Sequence, residues 1–210
     1  MQEPEFSDHS YRELYRFIPD LARLRAALIP LSKSHQLAFA LCCCERLYPG
    51  YQALVSVLHI QDLLGPFLGR LWQHVLGQEM SEPEIAQGMA ALRSIPLGKP
   101  ESCAHFSEAV DALDAVFLTL KACRNYSLDH VVKVAECIRN RIDRPLWKGM
   151  AQQMVSGVGP DEQRQIEDVI RSHPTMLAEI EKETAQLRFL YECETLTEEE
   201  IANLRSIGRK

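Results

Sequence analysis

Apolar residues recur along this chain at steps of three and four, and almost nowhere in the alternation of a strand. No Asn-Gly or Asp-Gly hairpin signal occurs either. The stretch from Leu37 to Tyr51, LAFALCCCERLYPGY, stands apart. Leu37, Leu41, Cys44 and Tyr48 share one helical face, and Phe39, Ala40, Cys43 and Leu47 cover much of the rest. A helix that is apolar nearly all round belongs in a core with neighbours on several sides. Ser34 is its expected N-cap, and Tyr48-Pro49-Gly50 its expected end, since proline removes a donor and restricts the residue before it.

The same reading predicts helices over Tyr11 to Ile18 and Leu21 to Ile29, and from Tyr51 to Leu58. Leu63 to Leu76 follows, with Leu64, Phe67, Leu68, Leu71 and Val75 on one face. Ser81-Glu82-Pro83-Glu84 has capping-box spacing and opens a helix to Ser94. Residues 95–105, with Pro96, Gly98 and Pro100, read as a long irregular connection. Phe106 to Arg124 is the clearest amphipathic segment, through Phe106, Val110, Leu113, Phe117 and Leu120. Ser127 caps a helix from Leu128, kinked or restarted at Pro145 and reaching Val155. Glu162 to Arg171 is helical and polar. Pro174 to Glu194 carries Met176, Ile180, Leu187, Leu190 and Tyr191 inward, and Thr197 to Glu200 forms a second capping box before a short final helix. The expected fold is all-α: a bundle of nine or ten helices in one domain over residues 1–210, with a short polar segment at 1–9 and no internal repeat.

Composition narrows the function classes. The chain has 210 residues, ample for a sizeable core, with 46% hydrophobic and 25% charged residues. Its net charge of -6 makes nonspecific nucleic-acid binding a poor expectation. The first ten residues are acidic and polar, with no secretory pattern, and no apolar run is long enough to span a membrane. Seven cysteines, three of them adjacent and none in a Cys-x-x-Cys pair, suit reduced thiols in a cytoplasm.

Four charged residues stand where apolar ones are expected. Glu45 and Arg46 interrupt the Leu37–Tyr51 helix. Asp114 projects between Val110 and Phe117, and Glu194 continues the stripe through Leu190 and Tyr191. Buried charges need partners, so Glu45, Arg46, Asp114 and Glu194 are expected to meet in a polar cluster joining three helices. Such a cluster either fixes helix register or lines a ligand pocket. No metal is expected there, because no Glu-x-x-His pair faces inward and an arginine repels cations. Cys42, Cys43 and Cys44 point to different faces and cannot converge on one zinc; packing is their expected role. The seven histidines are not spaced for ligation. Arg139, Arg141, Arg144 and Lys148 form the one basic cluster, expected on a solvated face. No Ser-centred elbow, phosphate loop or dinucleotide fingerprint is present.

The run Cys42-x-Cys44-Glu45-Arg46-x-Tyr48-Pro49-x-Tyr51 resembles the signature of the YjaG-like bacterial family, a domain of unknown function (DUF416). Ala112-Leu113-Asp114-Ala115, Leu128 to Val134 (LDHVVKV) and Tyr191-Glu192-Cys193-Glu194 are similar to its later segments, in the same order, so the resemblance spans Leu21 to Ile207. Gly50 stands where the family usually has asparagine, and Cys43 lies outside the pattern. The resemblance implies a cytosolic, all-helical bacterial protein and brings no reaction, substrate or cofactor. The expectation is a non-enzymatic interaction or regulatory protein, using a helical face toward a protein partner or a second copy and needing no cofactor. The competing expectation is a small-molecule binder or enzyme with a pocket at Glu45, Arg46, Asp114 and Glu194.

Overall fold

A computed structural model describes residues 21–97, 105–151 and 159–209. Among them are nine helices and no strand: α1 (Leu21–Leu28), α2 (Lys33–Leu58), α3 (Leu64–Val75), α4 (Glu82–Arg93), α5 (Phe106–Arg124), α6 (Leu128–Ala151), α7 (Pro160–Ser172), α8 (Pro174–Glu192) and α9 (Glu198–Arg209). The helix expected over Tyr11 to Ile18, the polar 1–9 segment and most of the 95–105 connection lie outside the described residues. No described helix is long and apolar enough to cross a membrane.

α2 is the axis. Every residue from His35 to Cys44 is buried, and the helix packs on α3, α5, α6, α8 and α9. Its start is Ser32, not Ser34. The Ser32 hydroxyl accepts from the His35 backbone N–H at 3.3 Å, leaving Ser34 exposed on the first turn. His35 Nε2 lies 3.0 Å from the carbonyl oxygen of Cys193 and donates to it, so the start of α2 is tied to the end of α8.

Nor does α2 end at Pro49; it runs through to Leu58. A proline inside a helix disturbs the carbonyls of the preceding turn. Here Arg141 of α6 donates to the Arg46 carbonyl at 3.1 Å, supplying an acceptor in that turn with a partner. Next to the proline, Gly50 permits a close helix crossing: a Cβ there would stand 2.6 Å from Glu108 Cβ of α5. The other internal proline, Pro145, likewise lies within an unbroken α6.

α5 has the expected bounds, and Leu113 and Leu120 of its expected stripe are buried, but the rest of its buried face differs. Ala109, Ala112, Ala115, Val116, Thr119 and Leu120 are buried against α2 and its neighbours, whereas Phe106, Val110 and Phe117 are only half-buried. Small side chains let two backbones approach, so the alanine stripe faces the axis. Both capping boxes form. Ser81 and Glu84 exchange side-chain-to-backbone hydrogen bonds at the start of α4, and Thr197 and Glu200 do so before α9. A second, smaller cluster of Ile166, Ile170 and Met176 joins α7 to the first half of α8, beside Ile142, Leu146 and Trp147 of α6.

Candidate functional site

The charged residues of the interior form two arrangements on opposite sides of the Glu45–Arg46 step. Glu45 turns toward α3 and α9. Its Oε1 accepts from Trp72 Nε1 at 2.9 Å and lies 2.7 Å from Arg205 Nη2, while Oε2 accepts from Arg205 Nε at 3.0 Å. The Arg205 guanidinium also lies 5.7 Å from the centre of the Trp72 ring, within cation–π range.

Arg46 turns toward α8. Its Nε and Nη2 both reach Glu179 Oε1, at 2.9 and 2.8 Å. Nη1 donates to Gln186 Oε1 at 2.7 Å and to the Cys42 carbonyl at 3.3 Å. One turn along α8, Glu183 holds Arg139 of α6 through Oε1 at 3.3 Å and Oε2 at 2.5 Å. Arg139 and Glu183 are each only 2% exposed. Burial pushes the Glu183 carboxyl above its ordinary range, and the Arg139 guanidinium pulls it back. Outside both arrangements, a fourth ion pair joins α5 to α6: Arg144 donates to both Asp111 oxygens, at 2.7 and 3.1 Å. Burial carries the Asp111 carboxyl up to about 7 despite that guanidinium.

Of the four residues expected to meet, the structure places Glu45 and Arg46 in the interior, facing different helices. Asp114 and Glu194 are exposed and do not join them. The physical reason differs for each. Asp114 follows the Val110–Phe117 edge of α5, and the buried face is the alanine stripe instead. Glu194 lies beyond the last helical residue, Glu192; Cys193 has left helical geometry at φ -85° and ψ 123°, so the stripe through Leu190 does not extend to it. Glu179, Glu183, Gln186 and Asp111 are interior polar residues for which the sequence analysis carries no expectation. A signal existed for one of them: Glu183 follows Ile180 by three and precedes Leu187 by four, inside the apolar stripe of α8. The arginines of α6, expected on a solvated face, are instead bound inward through Arg139, Arg141 and Arg144.

A family model described as a protein of unknown function, DUF416, matches residues 23–210. The chain belongs to the DUF416 family. It is also similar to a solved structure, a DUF416 family protein from Shewanella baltica OS155, at 21% identity and a TM-score of 0.71, over 90% of this chain and 93% of that one. At that identity the likeness supports the fold alone. No curated protein matches the chain.

In this DUF416 chain the space beside the network is small. A recess of about 20 Å³ lies between Arg46, Ile138, Arg141, Ile142 and Glu179, enough for one water molecule. No group of three or more His, Cys, Asp or Glu among the described residues is arranged to hold a metal ion. The cysteine triplet is packed: Cys42, Cys43 and Cys44 are buried, and Cys44 Sγ lies 3.4 Å from the Thr119 hydroxyl. Burial pushes the Cys42 and Cys44 thiols up to about 12 and the Cys43 thiol well up too, which removes the thiolate that redox chemistry needs.

Proposed function

We propose that this DUF416 chain is a non-enzymatic interaction or regulatory protein of the bacterial cytoplasm, meeting a protein partner or a second copy through the outer faces of its helices. One observation carries the reading. The interior charges that had suggested a pocket are spent on one another, and the recess beside Arg46 has room for a water but not for a substrate. A site too small for a substrate supports recognition through the surface. Ile29 and Tyr191 support this choice: both are about half exposed or more, and the Tyr191 hydroxyl bonds to the Ala27 carbonyl, which brings the ends of α1 and α8 together.

The test pairs two measurements on the purified chain. Thermal-shift titration with nucleotides, amino acids, sugar phosphates and divalent metals is expected to give no saturable stabilisation. In-cell cross-linking, followed by reconstitution with the purified cross-linked protein, is expected to give a defined complex that Tyr191→Asp weakens. A saturable small-molecule shift that Arg46→Lys abolishes would establish the pocket reading instead.

A further inference from the structure

We infer that α9 is a dissociable latch, which releases as a unit while the remaining helices stay folded, and in doing so uncovers the polar groove of Glu45, Trp72, Arg46 and Gln186. The inference concerns motion within the chain and stands whether or not an outer partner exists.

α9 is held by few groups. Of its twelve residues, Ile201 and Leu204 are the buried apolar ones, and Glu198, Glu199, Ala202, Asn203 and Ser206 are exposed. It packs on α8 and α2, and reaches Trp72 of α3 through Arg205. The clasp is the Arg205–Glu45 pair, whose arginine remains 37% exposed, so water and salt compete for it. An element with little buried apolar area and a wet anchor opens below the free energy of global unfolding.

The geometry at the tip of α9 adds a second, independent observation. Gly208 lies over the network: a Cβ there would meet Gln186 Nε2 at 2.9 Å and Arg46 Nη1 at 3.4 Å. Gln186 is fully buried, and its Nε2 donor has no hydrogen-bond partner among the described residues. A buried donor without an acceptor penalises the closed state. Release of α9 hydrates that amide and removes Arg205 from the Glu45 carboxylate, which keeps the Trp72 indole N–H as its remaining partner. The hinge is defined on both sides. The Cys193 carbonyl is fixed by His35, and Thr197 caps the moving helix, so α8 keeps its place while α9 swings.

Native-state hydrogen exchange on the full chain, resolved by peptide, tests this. The α9 amides are expected to exchange at least tenfold faster than the central amides of α2 and α5. Arg205→Ala is expected to speed α9 several-fold further and leave α2 and α5 unchanged. Raising the salt concentration in the wild type should act in the same direction on α9 alone. Exchange of α9 in step with α2 and α5, or an Arg205→Ala effect spread evenly over all helices, would overturn the latch.

Discussion

At the scale of single residues, space rather than chemistry decides what the conspicuous side chains do. The cysteine triplet attracts a redox reading by composition alone, yet Cys42, Cys43 and Cys44 occur on the stretch of α2, His35 to Cys44, in which every residue is buried. Native protein exposed to a maleimide at neutral pH should therefore leave these three and the buried Cys137 unmodified, while the partly exposed Cys193 reacts. Site-resolved mass spectrometry reads this directly, and labelling of the triplet without denaturant would contradict the packing. Glycine provides a second residue-scale contrast. At Gly50 an added methyl meets Glu108 Cβ at 2.6 Å, so Gly50→Ala should cost about 1–3 kcal/mol of overpacking despite the better helix propensity. Gly69, exposed inside α3, has nothing within 4 Å of an added Cβ, and Gly69→Ala should instead stabilise by roughly 0.5–1 kcal/mol. Denaturant unfolding of the two variants should give opposite signs; a loss at both positions would count against the close α2–α5 crossing.

At the scale of elements, most chemistry that acts within one turn is legible, the α2 cap at Ser32 in place of Ser34 being an exception. The capping boxes at Ser81 and Thr197 and the bounds of α5 follow from residues three or four apart. The continuation of α2 through Pro49 did not follow, and the turn before that proline is partnered from almost a hundred positions away, by Arg141 reaching the Arg46 carbonyl. The buried face of α5 was misjudged for a related reason: large residues mark a stripe more loudly than alanines, while close helix approach favours the alanines. The capping boxes also set a pH dependence. Hydrogen bonds from the Ser81 backbone and side chain hold the Glu84 carboxyl down at about 2, below its usual 4.5, and Thr197 lowers Glu200 in the same way. A depressed carboxyl contributes stability above its unfolded value and loses it as pH falls toward the folded one. The melting-temperature gap between wild type and Glu84→Gln should thus be present at pH 6 and close as pH drops from 4.5 toward 2. A gap independent of pH would show that Glu84 does not act through its charge.

At the scale of the whole molecule, the polar interior links helices that lie far apart in the chain. The sequence showed that Glu45 and Arg46 needed company, and it could not show whose, because partners over a hundred residues apart are selected by packing rather than by spacing. Arg46 joins α2 to α8 through Glu179 and Gln186, and Arg139 joins α6 to α8 through Glu183, so three helices are fixed in register by one polar layer. Removing one member leaves a buried charge without its partner, whereas replacing both with apolar groups of similar volume removes the problem along with the interaction. Arg46→Met should therefore cost roughly 3–5 kcal/mol in urea unfolding, and Glu179→Leu alone a comparable amount. The double variant should regain most of that loss, giving a large coupling energy in the cycle. Asp114→Asn and Glu194→Gln, on exposed positions, should stay within about 0.5 kcal/mol of wild type. Additive losses at Arg46 and Glu179 would mean that the two act through separate packing defects, and the layer would then have no part in specifying the fold.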